Sequence, residues 1–475
     1  MIAVAVTLGL GGCASFSPDG GMLAVQTASS EVLGKDVVRI RSEEEAVQSR
    51  ERVRALLATP VDAETSVQIA LLNNAGLQAS FAELGAMEAE SVSASLPPSP
   101  TFSLSRLAVS RELEIERQVL INVLGLLTLP RQRELAEGRF RQAQLQAAET
   151  VLRLAADTRR AYHRAVSSAQ IVTFLEEAKA AAEASSDVAK ELGETGALNK
   201  IGQAREHAFY AEVGAQLAAA RLRKAADRER LTRLMGLWGA DIKYRLPAKL
   251  KPLPNSAKRA GEIEAEAVSK RIDLEIARME LDLLAKSYGL TRATRFVDDF
   301  ELTGTSQYDR AFVDAPGGGL DKDTAKWRGI AMDFQIPLYD FGESKTREAE
   351  ERYMHAAHRL AEKAVNVRSE VRQAYTDYRG TYDIAMHYQK EVLPLRKIIS
   401  DETLLQYNGM LSDLSQLLID ARERVASNVA AIEAKRDFWL AATDLHVAVV
   451  GGGVSDGVAG RSTAMATGGG DGAGH

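Results

Sequence analysis

The sequence sets out the same plan twice. Leu129-Pro130 opens a long charged, alanine-rich stretch and Ile336-Pro337 opens another, an offset of 337 − 130 = 207. Upstream, Thr101-Phe102-Ser103-Leu104-Ser105 is echoed by Asp299-Phe300-Glu301-Leu302-Thr303, an offset of 300 − 102 = 198. Downstream, Thr195-Gly196-Ala197-Leu198 is echoed by Asn408-Gly409-Met410-Leu411, an offset of 409 − 196 = 213. The offsets drift in one direction, as small loop insertions in a diverged tandem duplication make them do. Each copy reads helix, strand pair, long helical hairpin. A unit of that kind cannot bury its own faces and is built to assemble.

A chain of 475 residues has room for two or three ordinary domains. With 12 Pro, 6% aromatic residues and long Ala/Glu/Arg/Leu runs, this one favours long helices over compact cores. The formal net charge is −6, with no lysine-rich stripe or arginine face, so nucleic acid is not an expected partner.

At the N-terminus an apolar run over 2–10 leads into Leu10-Gly11-Gly12-Cys13, which resembles a bacterial lipobox. On that reading residues 1–12 are a signal peptide and Cys13, the single cysteine, takes acyl chains. Residues 13–60 are then a lipidated arm, extended or weakly helical, with Ser42-Glu43-Glu44-Glu45 as one helix start. A plain secretory signal with an incidental, buried cysteine is the alternative. No Lys or Arg precedes the apolar run, so an upstream start codon stays open, and Ala14 after the cysteine is compatible with sorting to an outer membrane. No other stretch approaches 20 apolar residues, and no transmembrane helix is expected. The glycine-rich segment 451–475 is expected to be disordered.

The first repeat spans 61–256: a helix capped by Asp62, a β-hairpin at about 99–127 and a helical hairpin at about 130–238. The second spans 257–450: a helix over 265–288, a β-hairpin at about 294–338 and a helical hairpin at about 342–447. The long arms, about 130–193 and 342–406, are followed by returning helices at 199–236 and 412–447. Some 60 helical residues extend roughly 90 Å at about 1.5 Å each. Their apolar positions are small and thinly spread, as in a wall of helices packed side by side. Pro394 interrupts the second arm without a counterpart in the first, which reads as either a moving part or a tolerated kink.

Between the helices the period falls to two. Over 112–125, Leu113, Ile115, Val119, Ile121 and Val123 alternate with Glu112, Glu114, Glu116 and Gln118, with Arg117 a blemish on the apolar face. In the second copy Ile330, Met332, Phe334, Ile336 and Leu338 alternate with Ala331, Asp333 and Gln335. The 207-residue offset carries Val123 onto Ile330, so the apolar faces of the two copies coincide. Their partner strands fall near 101–109 and 296–305. Strands of roughly 9 to 11 residues can cross a bilayer at a tilt. Four cannot close a barrel, whose minimum is about eight; three chains would supply twelve. The polar stretch 308–324 reads as a long loop facing outside the cell.

This order of elements, with Gln335-Ile336-Pro337-Leu338-Tyr339-Asp340-Phe341-Gly342 at a strand exit and Tyr407-Asn408-Gly409 at a hairpin tip, resembles the TolC-like outer-membrane efflux protein family, lipoprotein branch, over residues 60–450. The resemblance implies a mainly α fold with a membrane β-barrel. It would be a homotrimer with a 12-stranded barrel continued by an α-helical tunnel, lipid-anchored in the bacterial outer membrane with a periplasmic extension. It also implies a passive export duct docked on a periplasmic adaptor and an inner-membrane pump. Gly196, Ala197, Leu198, Gly409, Met410 and Leu411 would form the adaptor-docking tips, although two helix-terminating glycines give the same pattern. The family's constriction carboxylates fall six and nine residues after the tip Gly, where this chain has Ser415 and Leu418. Asp413 and Asp420, seven apart, would stand in as rings of three charges, or are solvated surface acids; Tyr407 would bond across the closed neck. An Arg of the family type after the tip is missing.

No catalytic constellation stands out, and neither a cofactor nor a resident metal is expected. Gly317-Gly318-Gly319 lacks the Lys of a phosphate cradle, and His355 and His358 share a wet helix face. The rival readings are a periplasmic adaptor lipoprotein, the outer-membrane component of a type I secretion system, and a purely structural coiled-coil lipoprotein. The cargo is not legible.

Overall fold

A computed structural model describes residues 16–257, 261, 263–314, 317–318, 320–409, 411 and 414–452. In chain order the first copy contains α1 (Met22–Leu33), α2 (Glu43–Leu57), α3 (Ala63–Asn73), α4 (Ala75–Ala94), β1 (Thr101–Val109), β2 (Glu112–Asn122), α5 (Val123–Glu194) and α6 (Lys200–Leu234). The second contains α7 (Ile263–Lys270), α8 (Ile272–Ala293), β3 (Asp299–Asp314), β4 (Leu320–Gln335), α9 (Glu343–His387), α10 (Leu393–Asn408) and α11 (Leu414–Val450). Two compact units share these elements. One comprises Met1–Leu23, Ala82–Gln146 and Leu274–Lys363; the other comprises Ala24–Phe81, Ala147–Asp273 and Ala364–His475.

The first unit is organised by one antiparallel sheet in the order β1-β2-β3-β4. Its register runs unbroken, so that Phe102, Val119, Gly304 and Ile330 stand in one row. The central β2–β3 ladder joins the two copies. β1 and β4 are the outer strands, and their outer edges have no strand partner among the described residues.

Two expectations about the strands change. β3 and β4 are 16 residues each, not 9 to 11, and the expected loop over 308–324 is ladder as far as Asp314 and from Leu320. Polar side chains hid this, because pairing is carried by backbone groups and needs only alternation between two faces. The strand expected to continue to residue 125 instead ends at Asn122, whose Oδ1 accepts the Gly125 N–H and caps α5. Pro130 therefore lies inside a helix instead of opening one. In the second copy the corresponding Pro337 stays in a turn. There the Phe341 N–H donates to the Pro337 carbonyl at 2.8 Å, and Asp340 accepts from the Gly342 N–H at 3.0 Å. Gly342 has φ +72°, and a Cβ there would run into the Arg295 carbonyl.

Of the two forms expected for the N-terminal arm, extended or weakly helical, the described residues take helical segments, one of them starting at Ser42. α1 and α2 are regular helices, with Ser42 capping α2 by accepting from the Glu45 N–H, acids in the first turn and buried Val53 facing inward. In the first unit Ser17 donates its backbone N–H to Glu88 at 2.7 Å, and the Gln144 side chain donates to the Gly21 carbonyl at 3.0 Å.

The second unit's core joins Val53, Ile69 and Leu72 to Tyr162, Val166, Leu231 and Met235. The repeat is visible here in three dimensions. Each copy's leading helix is broken, at Asn74 and at Arg271, an offset of 271 − 74 = 197. Arg223 pairs with Glu433 at 3.4 Å and Arg422 with Glu212 at 3.3 Å, both separations being 210 residues. α6 and α11 therefore run parallel with repeat-equivalent positions abreast. Phe209, Val213 and Leu217 pack with Leu418, Val425 and Ile432 between them.

Pro394 sits in the first turn of α10, directly after a five-residue π-helical turn at Tyr388–Val392. The wider turn gives the proline ring room against the preceding carbonyls.

Arg271 is buried, held in a fork by Asp273 (2.9 Å twice) and by Glu370 at 2.6 Å. Arg271→Ala removes the counter-charge from buried Asp273 and is expected to destabilise the chain by about 3–5 kcal/mol; thermal unfolding checks this, and an unchanged midpoint contradicts it. His163 is buried against Trp439 (ring centroids 5.6 Å apart), and burial, aided by Arg159, lowers its pKa to about 4. The native imidazole stays neutral while the unfolded one protonates, so stability falls as pH drops from about 6.5 toward about 4. His163→Phe should flatten that part of the pH–stability profile.

Candidate conduit and docking elements

Directly opposed residues in a ladder share a face, so the register sorts every strand residue onto one of two surfaces. One surface carries an apolar band of Phe102, Val119, Ile121, Leu302, Ile330 and Met332, closed at its end by the stacked Phe300–Phe334 pair (4.4 Å). Phe102, Ile330 and Met332 are 75%, 77% and 62% exposed in the single chain, far from the usual fate of such side chains. The apolar alternation expected from the sequence is thus one continuous face across both copies. Val123 itself, being helical, is not part of it.

The opposite surface is acidic. Glu112, Glu114 and Glu116 of β2 lie on it with Glu301 and Asp309 of β3 and Asp323 and Asp333 of β4. Gln307 donates to Glu114 at 2.8 Å and to Asp309 at 3.1 Å, and the Trp327 indole N–H donates to Asp309 at 3.1 Å. No Lys or Arg of the four strands lies on this surface. Reading 308–324 as a loop concealed Asp309 and Asp323. The signal was present in the alternation of Asp309 with Tyr308 and Arg310, and of Asp321 and Asp323 with Lys322 and Thr324.

At the first hairpin tip α5 closes on Gly196 at φ +78°, and the Leu198 N–H reaches back to the Leu192 carbonyl at 3.0 Å. Asn199 then caps α6 through the Gly202 N–H at 2.8 Å. Ala197 is exposed, whereas Leu198 folds onto Gly202 and is half-buried. At the second tip Gly409 has φ −80°, so the backbone does not demand glycine. Leu411 is 83% exposed there, and its N–H donates to the Gln406 carbonyl at 2.8 Å. Met410, Asp413 and Cys13 lie outside the described residues. Tyr407 is half-buried.

Asp420 is 3% exposed within the single chain, and among the described residues its Oδ1 has no hydrogen-bond partner. The helical register that aligned it with Asp413 says nothing about which neighbouring helix covers it. A buried acid that sequence reasoning missed is Glu206 on α6. Its Oε2 accepts from Ser185 of α5 at 3.0 Å, while among the described residues Oε1 has no partner. Burial raises its pKa, opposed by Ser185 and Arg422. Among the described residues there is no metal-binding cluster and no helix long and apolar enough to cross a membrane.

The duplicated sequence of leading helix, strand pair and helical hairpin, with both strand pairs merged in one sheet, is the fold of TolC-like outer-membrane channels. The chain is similar to the Campylobacter jejuni CmeC outer membrane channel, with a TM-score of 0.68 and 18% identity over 83% of this chain and 86% of that one. It is similar to the Vibrio cholerae outer membrane protein VceC (TM-score 0.67, 14% identity, 82% of this chain and 96% of that one). It is also similar to the open state of the Neisseria gonorrhoeae MtrE outer membrane channel (TM-score 0.65, 16% identity, 82% and 89%). No model of a protein family matches the sequence, and no curated protein matches it.

Because the folded state holds Glu206 with a raised pKa, the native form keeps its proton longer than the unfolded form, and stability is lost as pH rises through that interval. Glu206→Gln should therefore stabilise the protein at pH 8, by on the order of 1 kcal/mol, with little effect at pH 4. Melting curves at the two pH values check this; equal gains at both contradict it.

Proposed function

We propose that the chain is a passive export duct of a bacterial outer membrane. Three copies each contribute four strands to a twelve-stranded barrel, and their helical hairpins continue it as a tunnel into the periplasm. The observation that carries this reading is the sheet itself: one face carries a continuous apolar band, the other the acids, and neither outer edge has a strand partner among the described residues. A sheet inside a water-soluble body would cover its apolar face, and one in lipid must lose its edges, because each unpaired backbone group in hydrocarbon costs several kcal/mol. The nine residues of β1 span roughly 30 Å along the strand, enough to cross at the usual tilt. The periplasmic adaptor reading gains nothing from a sheet assembled equally from both repeats.

In this duct the acidic face lines the interior, and cationic cargo is favoured. Side-by-side packing of copies is supported by Leu395, Ile398 and Leu405 of α10, exposed at helical spacing. The tips at Gly196-Ala197 and Gly409-Leu411 present small and apolar side chains to a periplasmic adaptor coupled to an inner-membrane pump, and Cys13 supplies the lipid anchor.

Planar-bilayer recording of the purified full chain is the test. It should give stable conductance with a reversal potential favouring cations, and Glu112→Gln/Glu114→Gln/Glu116→Gln should lower the cation-to-anion permeability ratio at least about twofold. A chain that inserts but does not conduct contradicts the duct, and an unchanged ratio contradicts the role of the acidic face.

A further inference from the structure

The apolar face of the sheet also carries charge, and all of its basic charge. Arg106, Arg117, Arg310, Lys322, Lys326 and Arg328 are the only Lys and Arg residues in the four strands, and the register puts every one on that face. The carboxylates lie on the other, except for Asp314 at the last register position of β3. Among the described residues none of the six cations forms an ion pair, and the Arg310 Nε is buried without a partner beside the Phe312 ring. A strand surface that faced only water would gain by mixing both signs. This one has put every base on one face and, Asp314 apart, every acid on the other.

The cations are also confined in height. Rows through Phe300, Leu302 and Gly304 are free of charge; Arg117 and Arg328 enter in the next row, beside Leu104 and Ser306. Arg106 and Lys326 follow in the Tyr308 row, and Arg310 and Lys322 stand beyond it. The belt occupies roughly 20 Å of strand at about 3.4 Å per residue. It lies at the end where the β-hairpins turn, while α5 and α9 leave from the opposite end. Leu104, Leu113 and Ile115 are interleaved with it. A cation facing lipid costs most at the bilayer midplane and least at the interface, where a phosphate can accept its N–H groups.

We propose that this belt binds the phosphate groups of outer-leaflet glycolipid around the outside of the duct, an inference that rests on the outer-membrane reading above. Arginine forks at Arg117 and Arg328 grip phosphate at the hydrocarbon boundary, and Lys326 and Arg106 hold the next layer of headgroup. In the closed trimer the belt would hold 3 × 6 = 18 cations, a continuous ring that fixes the depth of the barrel in the membrane.

The test reconstitutes the full chain in phospholipid vesicles containing a bisphosphorylated bacterial glycolipid or its enzymatically dephosphorylated form, then counts lipids retained through detergent exchange by native mass spectrometry. The unaltered protein should retain the bisphosphorylated glycolipid at least about fivefold better than the dephosphorylated one, with the preference weakening as salt rises. Arg117→Gln/Lys326→Gln/Arg328→Gln should abolish the preference, and Arg117→Lys/Arg328→Lys should preserve most of it. Equal retention of the two glycolipids by the unaltered protein overturns the proposal whatever the variants do. Conductance measured on the same sample separates the two readings: a conducting protein without preference defeats the belt alone, and a non-conducting protein with preference defeats the duct alone.

Discussion

Backbone hydrogen bonding at the edges of the sheet constrains everything else in this molecule. β2 and β3 are paired on both sides, whereas β1 and β4 each offer an outer row of N–H and C=O groups with no strand beside it among the described residues. In water such edges are a risk of indiscriminate pairing, and in hydrocarbon they are untenable. In the proposed assembly, closure by further copies would satisfy the rows and leave the apolar band facing lipid. The tandem repeat fits that economy, since α6 and α11 already stand parallel with equivalent residues abreast, as successive staves of a cylinder would.

The second organising fact is the period of two. Adjacent strand residues face opposite ways, so a sequence such as Glu112-Leu113-Glu114-Ile115-Glu116-Arg117 writes two surfaces simultaneously. The pattern held through four strands puts the acids on one side, with Leu107, Val109 and Trp327 among them, and the apolar band and all the bases on the other. In the proposed duct those become the interior, the lipid contact and the headgroup contact.

The duplication, the order of elements and the parity of the apolar face were legible in the sequence, because each is a periodic pattern that survives divergence. Strand length was not. Tyr308, Asp309, Arg310 and their partners Lys326, Ala325 and Thr324 look like loop residues until the ladder pairs them. The start of α5 was also hidden: Pro130 is a strong punctuation mark, yet the Asn122 cap had already begun the helix. Asp420 shows the limit of helical spacing, which predicts a shared face but not what covers it. Leu198 folded onto Gly202 makes the same point at the tip.

Closure of the sheet between copies is tested most directly by cross-linking its edges. In a Cys13→Ser background, one cysteine is placed in β1 (Ser103→Cys) and one in β4 (Ala331→Cys), and the full chain in its membrane is treated with a short bifunctional thiol reagent. Edge-to-edge closure predicts a covalent ladder on a denaturing gel that ends at three chains, with the β1-only and β4-only proteins stopping at one. Single chains throughout, or a ladder that runs on without a limit, would contradict it.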